Sequence, residues 1–196
     1  MKIVVLTKSP KRMNDNSYGN CVAGLNEQGE WVRLVSDVDG QSLSDKACSS
    51  FGCLDVIDVE AVPCPIKNQP ENYKLEKLIR KVSRHIITDV IEEYGVGDEQ
   101  FVFVNSSSTL TESERRQADA SLMIIKVNNL IISLDNRNKS KAQFTYNNTN
   151  YQNISVTDNR FKKPIAFDEA FIVVSLPSET DGFVNYYKFI AAVYPV

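Results

Sequence analysis

Cys21-Val22-Ala23-Gly24-Leu25-Asn26-Glu27-Gln28-Gly29-Glu30-Trp31-Val32-Arg33-Leu34-Val35 is the stretch that decides the fold. Two short apolar runs, Cys21–Leu25 and Trp31–Val35, flank a polar loop that carries a glycine. Neither run is long enough for a helix, and the spacing predicts a β-hairpin.

Strand signals continue on both sides. Ile3–Thr7 reads as a first strand, and Leu54–Val62 alternates apolar with acidic residues. In the second half, 101–104, 122–127, 130–134, 142–146, 151–157, 171–176 and 186–194 are rich in β-branched and aromatic residues. Asn128-Asn129 and Asn147-Asn148-Thr149-Asn150 each separate two such runs, and asparagine tolerates the left-handed backbone of tight hairpins. Ser36–Gly52 is expected to be a long irregular connection.

One main helix is expected over about 74–94. Leu75, Leu78, Ile79, Val82, Ile86, Val90 and Ile91 fall near a 3.6-residue period, Gly95 is a natural stop, and Ser83 is an alternative break. Thr111 and Glu114 fit the capping box of a second, short helix. Many short strands around few helices predict a mostly β fold of small barrels or a sandwich. The expected division is into an N-terminal half, 1–98, and a C-terminal half, 99–196, packed as one compact unit.

Composition narrows the function. The chain has 196 residues, 42% of them hydrophobic, and a net charge of −3. Up to Asp98 there are 12 Lys/Arg and 15 Asp/Glu; beyond it there are 10 of each. Neither half has the basic excess of a strong non-specific nucleic-acid binder, so any such binding must use local patches. No apolar run is long enough for a transmembrane helix, and Ile3–Leu6 is too short for a secretory core, so a cytoplasmic protein without membrane contact is expected. Cys21, Cys48, Cys53 and Cys64 contain no CxxC pair, and His85 is the only histidine. Free thiols and no metal or other cofactor follow. No GxSxG, Walker A or GxGxxG motif is present; Asp55 and Asp58 would face opposite sides of a regular strand, and Glu92 and Glu93 read as a solvated helix face, so neither is read as a catalytic pair. A non-enzymatic protein is expected.

Four segments could bind a ligand. Lys8, Lys11 and Arg12 surround Pro10 in a basic loop that reaches Tyr18, and Trp31 and Arg33 share one face of the paired strand. Cations beside aromatics are what phosphate contact and base stacking require; the same residues could equally be packing and solubilising groups. Lys77, Arg80, Lys81 and Arg84 would form a basic stripe on the expected helix. Asn68-Gln69-Pro70-Glu71-Asn72 makes a polar corner whose amides could read a base edge or satisfy a turn. Ser155-Val156-Thr157-Asp158, followed by Arg160, Lys162 and Lys163, could hold a phosphate or cap a strand.

These segments also carry a resemblance. Leu6–Ser9, Gly19–Gly24, Gly29–Ser36, Leu54–Val59, Asn68–Asn72, Ser155–Asp158, Val174–Leu176 and Tyr187–Ala192 resemble, in order, the dual OB-containing domain family of bacteria and their phages. The resemblance implies two OB-like β-barrels and a role in binding nucleic acid or a nucleotide. The family's charged and aromatic motif positions fall on Lys8, Trp31, Arg33, Gln69, Glu71, Asn72, Asp158 and Lys188. One departure is that Pro177 directly follows Leu176, where the family has a glycine and a charge first. The leading expectation is a binder of single-stranded nucleic acid or a nucleotide. Its rivals are capture of a small nucleotide signal in bacterial or phage conflict, a protein-interaction module, and a hydrolase with an unrecognised site.

Overall fold

The computed structural model describes residues 1–12, 17–178 and 185–196, without the side chain of Arg12. The chain falls into two compact units, Met1–Gly95 and Val96–Val196.

The first unit holds β1 (Lys2–Arg12), β2 (Tyr18–Asn26), β3 (Trp31–Val35), β4 (Leu43–Ser44), β5 (Asp55–Pro63), β6 (Asn72–Arg84) and α1 (Ile87–Tyr94). β1 pairs with β2, β2 with β3, β3 with β6, β6 with β5, and β5 with β1, which closes a ring of five strands. Only β3 and β6 run parallel. The hairpin read from Cys21–Val35 is present. Asn26 sets its turn, its Oδ1 accepting from the backbone N–H groups of Gln28 and Glu30 at 3.0 and 2.9 Å. Val5, Val22, Val32, Leu34, Ile57 and Val59 fill the ring, and Cys48 and Phe51 from the connection after β4 join them.

The second unit holds β7 (Thr109–Leu110), α2 (Glu112–Arg115), β8 (Leu122–Leu134), β9 (Ser140–Tyr146), β10 (Thr149–Val156), β11 (Ile165–Ser175), β12 (Tyr186–Tyr187) and β13 (Phe189–Pro195). β8, β9, β10, β13 and β11 form a closed barrel in that order, again with one parallel pair, β10 with β13. Numbered within each barrel, both rings run 1-2-3-5-4 and return to 1, the Greek-key order of the OB fold. Mostly β, two OB-like barrels: the expected fold class stands.

The main helix does not run over 74–94. Asn72–Arg84 is strand β6, and only Ile87–Tyr94 is helical. The cause of the misreading is physical. β6 carries three register shifts against β5, in which Glu76, Ile79 and Val82 are extra residues. Each bulge returns a residue three positions on to the same face, so Leu75 and Leu78 both point inward. A strand bulged every third residue therefore mimics helical periodicity. Gly95 does end the helix, with a positive φ of 80° and its N–H bonded to the Ile91 carbonyl.

A second expectation also changes. Asn128-Asn129 is not a hairpin; β8 runs straight through it. Asn129 adopts a φ of 52° within a bulge against β9. Asn147 and Asn148, at φ 46° and 60°, do form the tight turn between β9 and β10.

At Gly24, β2 leaves no room for a side chain against β1. A Cβ there would lie 1.9 Å from the Val4 carbonyl oxygen. Gly24→Ala must push two barrel strands apart. It is expected to cost about 1–3 kcal/mol, read as a lower urea midpoint at unchanged slope.

Candidate nucleic-acid interface

In the first barrel the polar corner and β3 form a buried network. Val32 and Leu34 point into the barrel, so Arg33 lies on the outer side, yet it is only 4% exposed. Its Nε and Nη2 both donate to Glu71 Oε1 at 3.3 Å, and Nη1 donates to Cys21 Sγ at 2.9 Å. Burial works against the guanidinium charge, but Cys21 and Glu71 outweigh it and hold the pKa above its ordinary value. Gln69 and Ile66 exchange backbone hydrogen bonds, and Asn72 Nδ2 donates to Gln69 Oε1 at 3.4 Å. Gln69, Glu71 and Asn72 are all buried. The structure thus brings Arg33, Glu71, Gln69 and Asn72 together, in an interior arrangement.

The basic loop is instead a strand. Lys8 and Lys11 lie in β1, paired with Val22 and Gly19 of β2. Lys8 shares the inward side of Val22. Its Nζ donates to the carbonyls of Cys48 and Phe51 at 2.6 and 3.0 Å, 5.4 Å from the centre of the Phe51 ring. Lys11 is half-buried, Tyr18 is exposed, and Trp31 is half-buried. Arg12 pairs with Tyr18 through its backbone; its side chain and residues 13–16 lie outside the described residues.

The predicted basic stripe is also redistributed. Arg80 and Lys77 stand opposite Asp58 and Glu60 of β5, whereas Lys81 and Arg84 both pair with the buried Asp55 carboxylate, at 2.9 and 3.0 Å.

In the second barrel, Asp158 and Lys188 are interior anchors. Asp158 accepts from Arg160 Nε and Nη2 at 2.9 and 2.7 Å and from the Val193 N–H at 2.9 Å, tying the loop after β10 to β13. Lys188 is 1% exposed. Its Nζ donates to the carbonyl and Oδ1 of Asn105 at 2.7 and 2.8 Å and lies 5.3 Å from the centre of the Tyr151 ring. Burial pushes its pKa down to about 7, with the Glu114 carboxylate opposing. Glu71 and Lys188 hold the same place in the two barrels: each immediately precedes the last strand, and each is a buried ionisable side chain.

OB barrels bind ligands on the face of their second and third strands and on the neighbouring loops. That face differs between the two units. On the outer side of β2 and β3, Ala23, Leu25 and Arg33 are buried. On the outer side of β9 and β10, Gln143, Asn150, Gln152 and Asn153 are exposed. Residues 136–157, which supply this second face, contain no Asp or Glu but hold Arg137, Lys139 and Lys141. Lys141 stands beside Ser155, and Ser155 beside Phe189, in one row across β9, β10 and β13. Lys141 Nζ donates to Ser155 Oγ at 2.8 Å. The half-buried Phe189 ring lies 6.4 Å from that of Tyr187, which is 39% exposed. Lys141, Tyr187 and Phe189 were not among the residues singled out from sequence. The acid-free run around Lys141 was the signal that could have found them.

A description of the dual OB-containing domain family matches residues 1–193. The chain belongs to that family. No curated protein and no solved structure matches it. Membership and the two rings together mark this dual OB chain as an OB-fold binding module. Among the described residues no helix is long and apolar enough to cross a membrane, no cluster of metal-ligating side chains is present, and no cysteine is in a disulfide.

Proposed function

We propose that this dual OB chain is a non-enzymatic binder of single-stranded nucleic acid or a nucleotide. The observation that carries the reading is the outer face of β9 and β10, whose strands hold no Asp or Glu, with the half-buried Lys141, Ser155 and Phe189 in a row, the Tyr187 ring against that of Phe189, and a nearby carboxylate, Asp135, in the turn before β9. A cation one strand removed from a pair of rings, with a hydroxyl between them, suits a phosphate followed by a stacked base. The non-enzymatic part is supported by the charged motif residues: Arg33, Glu71, Asp158 and Lys188 are all turned to internal partners.

The test is fluorescence anisotropy with labelled single-stranded DNA and RNA of about ten nucleotides, within the site sizes of OB folds. Free mononucleotides serve as competitors. Lys141→Ala and Tyr187→Ala are each expected to weaken binding by roughly 5- to 100-fold, the range that loss of one stacked base or phosphate contact spans. Unchanged affinity in both variants would sink this face. Trp31 is the only tryptophan of the chain, so quenching of its fluorescence by ligand would place the ligand on the first barrel instead. Binding of mononucleotides alone would favour the capture of a small nucleotide.

A further inference from the structure

At the centre of the β9–β10 face the pairing slips. Tyr151 faces Phe144 and Ile154 faces Ala142, so two residues, Gln152 and Asn153, stand against the single residue Gln143. This is a β-bulge, a device that re-aims side chains and recurs beside binding sites. Asn153 has a φ of 59°, the left-handed conformation that asparagine accepts more readily than most residues. The slip puts three carboxamides side by side on the outer surface. All three are exposed, and among the described residues none has a side-chain hydrogen-bond partner. Ile131 of β8 pairs with Gln143 and is 41% exposed, which gives the amides an apolar neighbour. Lys141 and Ser155 form the next row, and Thr145 and Asn150 the row on the other side.

We propose that Gln143, Gln152 and Asn153 form a base-reading site, so that the ligand is selected by the edges of its unpaired bases and not by its backbone alone. The inference rests on the binding reading given above. A carboxamide carries one acceptor and a two-proton donor at the spacing of a base edge, and Asn and Gln pair with adenine N6 and N7 in this way. Unpaired bases splayed across a sheet expose those edges, whereas a duplex hides the Watson–Crick one. Charge decides between this and a backbone binder. Only Arg137, Lys139 and Lys141 lie in the run that supplies the face, against the three carboxamides at the bulge. If these three cations make the phosphate contacts, the slope of log affinity against log salt is expected near −2, on the order of 0.7 per contact. A backbone-driven binder would fall more steeply and show no base preference.

The experiment compares labelled oligo-dA, oligo-dC and oligo-dT of equal length, and their RNA counterparts, on the full chain at two salt concentrations. The wild type is expected to separate its best base from its worst by at least roughly 5-fold, the lower bound for one bidentate pair. The double variant Gln143→Ala with Asn153→Gly is expected to bring the sequences to within about 2-fold of one another. Glycine keeps the left-handed bulge, so the strand pairing survives, and circular dichroism checks that it does. Gln152→Ala alone is expected to remove part of the preference. Equal affinity for all bases in the wild type overturns the proposal, and so does a preference that survives the double variant. If mononucleotides bind and no oligonucleotide does, the base-reading of a strand is overturned while the nucleotide reading stands; if neither binds, it is the underlying binding reading that fails, and this site falls with it.

Discussion

Arg33→Ala is expected to lower the stability of the first barrel by about 3–5 kcal/mol, the usual cost of removing one partner of a buried ion pair. Arg33 and Glu71 are each 5% exposed at the side chain. Without the guanidinium, the buried Glu71 carboxylate loses the cation bound to its Oε1, Cys21 Sγ loses its donor, and the space is empty. Glu71→Gln keeps the shape and one acceptor, and a smaller loss is expected. Arg33→Met combined with Glu71→Leu removes both charges and is expected to recover most of the loss, since apolar replacements of a buried pair are often neutral. Urea unfolding of all four proteins, read as midpoint and slope, measures these differences. A double variant as unstable as Arg33→Ala would show that the pair is not what the barrel needs.

The same series separates two roles that sequence could not. Trp31 and Arg33, two residues apart on β3, read as a stacking and phosphate-binding face. Alternation along the strand did put them on one side. What alternation cannot say is whether that side is covered. If the folded double variant binds ligand as the wild type does, Arg33 is a structural clasp between β3 and the loop before β6. A specific loss of affinity in a stable double variant would return Arg33 to the binding surface.

Much of the architecture was legible because local chemistry and tertiary pairing agree. The Asn26–Glu30 turn closes the hairpin that its composition predicts, Asn147-Asn148 makes a tight turn, and Gly95 ends a helix. The failures come where an extra residue enters a strand. Bulges at Glu76, Ile79 and Val82 gave β6 the spacing of a helix, and the bulge at Asn129 looked like a turn. A bulge is fixed by the partner strand, so the sequence of one strand does not announce it. The same blind spot hid the β9–β10 surface. Gln143, Gln152 and Asn153 are scattered in the chain, and only the slipped register brings them together. Charged residues misled in the opposite direction. Lys8, Asp158 and Lys188 are conspicuous in a sequence, and in the barrels they satisfy carbonyls, a guanidinium and an asparagine.

Lys188 gives the second large effect, a dependence on pH. Tyr187 and Phe189 flank it in sequence; Lys188 reaches inward to Asn105, while Phe189 stands beside Ser155 of β10 with the Tyr187 ring 6.4 Å away. The charged and titratable groups around the amine are Glu114 of α2 and the Tyr151 phenol of β10, whose own pKa burial raises. Burial lowers the folded pKa of Lys188 from 10.5 to about 7, so between those values the unfolded chain holds more protons than the folded one. Stability from this group therefore rises with pH across that window, by at most about 1.4 kcal/mol per unit, and its burial cost is fully felt below pH 7. Lys188→Met does not titrate. The gap between wild type and Lys188→Met, from urea unfolding at pH 6, 8 and 10, is expected to move in favour of the wild type as pH rises. A constant gap would mean that the two Asn105 oxygens keep the ammonium charged throughout. In that case the lysine is a permanent peg, and ligand affinity should fall in Lys188→Met by the same factor at every pH. With the expected titration, affinity in the wild type should itself change near neutral pH, because the peg that sets the two rings changes its charge there.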